Sequence, residues 1–113
     1  MRYKIVLVPF PFDDLESVKV RPAVCLTTTI GTYKHVVIAF ITSQISKATE
    51  ISDLPLLTTD TDFERTGLKS SSAIRLHRLT TVPESLILRL LGELPLSYQI
   101  DLEKKLKNLF QLS

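Results

Sequence analysis

Short apolar runs, separated by polar, proline-bearing or glycine-bearing stretches, fill most of the chain, and one helical stripe closes it. Ile5 to Val8 is too short a run for a helix and is rich in strand formers, which predicts a first strand. It leads into Pro9-Phe10-Pro11-Phe12-Asp13-Asp14, where two prolines oppose continued ladder pairing, and a polar loop then reaches Lys19. A second strand is expected from about Pro22 to Thr29, built on the apolar run Ala23 to Leu26 and the threonines after it. Gly31-Thr32 supplies a turn, so the second and third strands should form a hairpin. The third, His35 to Ile41, is apolar almost throughout and should be buried on both faces, as in a closed or sandwiched sheet.

The middle of the chain is polar from Ser46 to Asp62 apart from Leu54-Pro55-Leu56-Leu57, which Pro55 marks as an edge strand or an extended loop. Asp60 to Glu64 suits one helical turn before Gly67. Ala73 to Leu79 alternates with strand periodicity, setting Ala73, Arg75, His77 and Leu79 on one face and Ile74, Leu76 and Arg78 on the other. Pro83-Glu84-Ser85 suits a helix start, but Leu86 to Leu91 has no clear period, so helix and strand both stand open there. The last segment is helical: Ser97 can cap it, and Leu102, Leu106, Leu109 and Phe110 share one stripe. Asp101 with Lys105 and Glu103 with Lys107 are i,i+4 pairs in the favourable order, which makes the lysine group a solvated helix face.

At 113 residues the chain is expected to be one domain over 1–113, large enough for a real core. No apolar run approaches a membrane span, and Met1 to Lys4 lead straight into strand residues without a secretory cleavage pattern, so a cytoplasmic location is expected. Cys25 is the single cysteine; it cannot form an internal disulfide and suits a small core residue. A net charge of +2 permits a nucleic-acid partner without requiring one, so any phosphate site must come from local clustering of basic groups.

Three places carry candidate chemistry. Arg21 precedes Pro22, which favours an extended conformation at Arg21 and holds its guanidinium at the mouth of a core strand. Such a group can fork onto a phosphate or a carboxylate, although a surface ion pair uses the same arrangement. Thr42-Ser43-Gln44 gathers polar side chains where a core strand meets a loop, a pattern that also marks a plain Ser/Thr turn. Arg75 and His77 form a cation–imidazole pair on one strand face, also compatible with a wet strand surface. Two histidines and one cysteine at unrelated spacings give no metal site, and no cofactor is implied.

In order along the chain, Ile5-Val6-Leu7-Val8-Pro9-Phe10-Pro11-Phe12-Asp13-Asp14, Arg21-Pro22-Ala23-Val24, Ile41-Thr42-Ser43-Gln44, Gly67-Leu68-Lys69, Ala73-Ile74-Arg75-Leu76 and Leu91-Gly92-Glu93-Leu94 resemble the PemK/MazF family of toxins from type II toxin–antitoxin systems. The match runs from about residue 4 to 112. The resemblance implies a mainly β fold with helices: a small SH3-like β-barrel of the MazF/Kid/CcdB type with a C-terminal amphipathic helix, assembled as a homodimer. It implies a metal-independent endoribonuclease (mRNA interferase) that cuts single-stranded RNA by attack of the 2′-hydroxyl on the adjacent phosphate and is inhibited by a cognate antitoxin. It also favours a strand over Leu86 to Leu94, preceded by a helical turn.

By the same resemblance the family's catalytic arginine falls on Arg21, its catalytic threonine on Thr42, and a later arginine on Arg75, with Lys19, Ser43 and Gln44 as RNA-binding residues. The family's aspartate two residues after that arginine is here His77, and its usual Gly-Asp opening is replaced by Tyr3-Lys4. An imidazole's ordinary pKa near neutrality suits proton transfer, so His77 is expected to face the pocket of Arg21, Thr42 and Arg75 as general base. The alternative is a non-catalytic SH3-like binding protein, either a CcdB-like gyrase-binding toxin or an inactive family member.

Overall fold

Among the described residues, six strands and one α-helix follow the apolar pattern: β1 (Lys4–Phe10), β2 (Lys19–Cys25), β3 (His35–Thr42), β4 (Asp53–Leu56), β5 (Ser72–Pro83), β6 (Arg89–Glu93) and α1 (Leu96–Leu109). The computed structural model describes residues 1–10 and 19–112, with Phe10 described by its backbone alone. The expected packing of Phe10 and Phe12 and the Asp13-Asp14 loop therefore lie outside the described residues.

The strands form one antiparallel sheet in the order β4-β5-β3-β2-β1-β6, a mainly β half-barrel with one C-terminal helix. Strand periodicity divides its apolar residues between two cores. Ile5, Val24, Ile41, Ile74 and Leu76 meet Leu94 and the Tyr98 and Leu102 side chains of α1 in the first. Val6, Val8, Ala23, Cys25, Val36, Ile38 and Phe40 make the second, with Val82 and Ile87 packed against it. Burial on both faces explains why these strands read as unbroken apolar runs. Among the described residues no helix is long and apolar enough to cross a membrane.

Several boundaries differ from the sequence expectation. Pro9 does not end β1: it pairs with Val20, beyond the last β1–β6 pair at Leu7, where among the described residues β1 has a neighbour on one side only and a missing N–H is tolerated. β2 starts at Lys19, so Pro22 is interior to it, and it ends at Cys25 instead of Thr29. The threonines lose the ladder because a side chain takes over: Thr27 Oγ1 accepts from Val37 N at 3.2 Å. Residues 84–86 form a 3-10 turn and β6 follows, which resolves the ambiguous stretch. Ser97 caps nothing, since α1 begins at Leu96 behind Pro95. Lys105 Nζ donates to Ile51 O and Tyr3 Oη to Glu103 Oε2, each at 2.8 Å, so both residues engage the sheet side of the molecule.

The two glycines of the later motifs meet each other's segments. A Cβ at Gly67, where φ is +72°, would collide with the Leu91 carbonyl, and one at Gly92 with the Arg65 and Thr66 backbone. Both sites demand glycine, one for its left-handed backbone as well as for space.

Candidate active site

The β2–β3 ladder stops at Ala23↔Phe40. Two residues further along each strand, in opposite directions, stand Arg21 and Thr42. Pro22 has no N–H to extend the pairing towards them, and a hollow of about 300 Å³ opens between the strand ends. Arg21, Thr42, Gln44 and Arg75 line it, together with Phe40, Ile41, Lys47 and Arg78.

Local structure prepares each polar group. Gln44 N donates to Thr42 Oγ1 at 3.1 Å, so the Thr-Ser-Gln segment is a true Ser/Thr turn. With its oxygen engaged as acceptor, the hydroxyl keeps its own proton to donate. Lys47 arrives on the 3-10 turn Ile45–Lys47 that follows. Arg75 lies opposite Asp53 across the β4–β5 pair, and its Nε donates to Asp53 Oδ1 at 2.7 Å.

An irregularity in β5 decides which of its side chains join the hollow. Against β3, the register steps from Ala39↔Leu79 to Ile41↔Ile74, so Arg75 to Arg78 have only Phe40 facing them. Such extra residues re-aim side chains. Arg75 and Arg78, three residues apart, reach the same hollow, which strict alternation forbids. His77 does not line it. That ring lies on a neighbouring hollow of about 390 Å³ with Ser52, Lys105 and Asn108; its Nδ1 is 3.4 Å from Ser52 Oγ and 3.9 Å from Asp53 Oδ1. Arg75 and His77 do both lie beside Asp53, as their common strand face requires, but only Arg75 is hydrogen-bonded to it and the two open on different spaces.

Of the remaining candidates, Ser43 lines a third hollow of about 430 Å³, also bordered by Arg21, with Lys69, Ser70 and Arg89. Lys19 is exposed at the start of β2 and lines neither space. Sequence reasoning missed Phe40, Lys47 and Arg78. Phe40 was recoverable, being two residues from Thr42 on its strand; Lys47 and Arg78 depend on a turn and an irregular register that leave no periodic trace. Among the described residues no group of three or more His, Cys, Asp or Glu is placed to hold a metal ion.

Chemically, three arginines, a lysine and a hydroxyl around one small space can hold an anionic group that offers two accepting oxygens, such as a phosphodiester. The chain is similar to the Mycobacterium tuberculosis toxin MazF-mt6, at 21% identity and a TM-score of 0.74, covering 97% of this chain and 98% of that one. It is similar also to an endoribonuclease in complex with its cognate antitoxin from Mycobacterial species, at 12% identity and a TM-score of 0.71, covering 100% of this chain and 94% of that one. At those identities the likeness is one of fold. No curated protein sequence matches the chain. The family of PemK-like, MazF-like toxins of type II toxin–antitoxin systems matches residues 1–110. A match of that extent assigns the whole architecture, and the chain belongs to this toxin family.

Proposed function

We propose that this chain is a metal-independent endoribonuclease that cleaves single-stranded RNA by attack of a 2′-hydroxyl on the adjacent phosphate. The observation that carries the reading is the hollow where Arg21, Thr42, Arg75 and Arg78 converge with no carboxylate or imidazole among its described lining residues. In the reaction, negative charge accumulates on the non-bridging phosphate oxygens as the 2′-oxygen bonds to phosphorus and the 5′-oxygen departs. Arg21 and Arg75 supply charged donors to those oxygens and Thr42 a neutral one, held in place before the reaction begins. Gln44 and Ser43 contact the RNA from the two hollows that Arg21 borders, and Lys19 adds charge at the rim. His77, turned to the neighbouring space, is outside this set, so the 2′-hydroxyl proton passes to water or hydroxide and water returns one to the departing 5′-oxygen.

The toxin family and the antitoxin-bound neighbour support a cognate antitoxin as the protein partner. The exposed Leu90 on the edge strand β6, Leu88 just before that strand, and Val20 on β2 support a second copy as cover, giving a homodimer. Light scattering at micromolar concentration should report that dimer, and a monomer throughout would remove it.

Incubating the purified protein with single-stranded RNA, with and without a chelator, tests the activity. The expected products end in a 2′,3′-cyclic phosphate and a 5′-hydroxyl in both cases, and a 2′-deoxy substitution at the cut site should block the reaction. Uncut RNA would return the non-catalytic alternative.

A further inference from the structure

Arg75 is aimed by a residue on another strand. β5 carries no carboxylate of its own, yet the Arg75 guanidinium is held by one, since Asp53 of β4 stands directly opposite it and accepts from its Nε at 2.7 Å. The Asp53 side chain is only 3% exposed. A carboxylate so buried needs its charge met. Its second oxygen accepts from Glu50 N at 2.9 Å, while Asp53 N donates to Glu50 O at 3.0 Å. This reciprocal turn fixes the carboxylate independently of Arg75. His77 Nδ1, 3.9 Å from the same Oδ1, is beyond hydrogen-bond range.

The point of contact matters. A carboxylate forked onto both terminal nitrogens would occupy the edge that a phosphate needs. Contact through Nε instead fixes the guanidinium plane and leaves both η nitrogens for a ligand. Arg75 also opens the stretch that has no ladder partners on β3, so the cross-strand bond to β4 is its fixed reference. We infer that Asp53 is a positioning residue that sets the Arg75 guanidinium for the phosphate. The inference rests on the proposed role of Arg75 and adds what makes that role effective.

Single-turnover RNA cleavage by the full chain tests it. Asp53→Asn keeps the shape, but its one oxygen cannot accept from both Glu50 N and Arg75 Nε. The variant should cleave roughly 10- to 10²-fold more slowly, a loss expected of a displaced catalytic group, with kcat falling more than KM rises. In an Arg75→Ala background the same change should cost little more, because no guanidinium is left to aim. Equal losses in both backgrounds would make Asp53 merely structural and overturn the inference. So would full activity in Asp53→Asn beside a slow Arg75→Ala. Full activity in Arg75→Ala would sink the role of Arg75, and this inference with it. If Asp53→Asn does not fold, wild-type protein carries the test: the Arg75 Nε–H resonance, identified by its loss in Arg75→Lys, should exchange slowly with solvent, and rapid exchange would overturn the assignment.

Discussion

At the scale of single residues, the proposed chemistry rests on Arg21. It lies where β2 and β3 part and borders both basic hollows, so its removal should be felt in the transition state more than in the fold. Arg21→Ala should lower RNA cleavage by on the order of 10²-fold or more while the circular dichroism spectrum is retained; full activity would sink the proposed site. His77 gives the opposite expectation. With neither an imidazole nor a carboxylate among the described lining residues, cleavage should rise with pH across the neutral range, and His77→Gln should leave that profile unmoved. A flattened limb with a loss near 10²-fold would restore His77 as general base. Arg21, Thr42 and Arg75 were legible as candidates because each stands beside an apolar run or in an alternation that the sequence displays. The direction of His77 was not, since the stretch after Ile74 that loses its register with β3 looks in sequence like any alternating strand.

Elements were legible wherever burial dictated composition. β1 and β3 sit between two cores and read as continuous apolar runs, whereas β2 was drawn too long because threonine propensity says nothing about the Thr27 hydroxyl displacing a backbone acceptor. The stripe on α1 was read from Leu102 onwards, but its first anchor is Tyr98, whose hydroxyl is donated to Asp60 Oδ2 at 2.5 Å. That bond, followed by the one from Leu57 N, holds the Asp60 carboxyl below its ordinary 3.8. Burial first, then Asp60, pushes the Tyr98 phenol well above its ordinary 10.0. The signs run in opposite senses. A depressed carboxyl stabilises the fold above its unfolded value and loses that contribution as pH falls through the folded one, while a raised phenol contributes below its unfolded value and fades as pH climbs past it. The tie should therefore be complete from about pH 4 to pH 10. Tyr98→Phe should melt several degrees lower than the parent in that window, with the gap closing in acid; a gap independent of pH would assign the loss to packing alone.

Across the whole molecule, the half-barrel is held by two cores on opposite faces of one sheet, and the strands that form them also end at the candidate site. Fold and candidate site were therefore legible together, through the runs that feed β1, β2 and β3, while the surfaces proposed to meet a second copy or an antitoxin had no comparable signature. Cys25 lies at the centre of the second core, fully buried, with its thiol pushed up to about 11 by burial. The thiolate is the reacting species, so an aromatic disulfide reagent can label this chain only when the core comes apart. A natural stopwatch for global opening is thus built in, with no engineered probe: labelling rates, followed as antitoxin or RNA is added, would report how far each partner slows the breathing of the sheet.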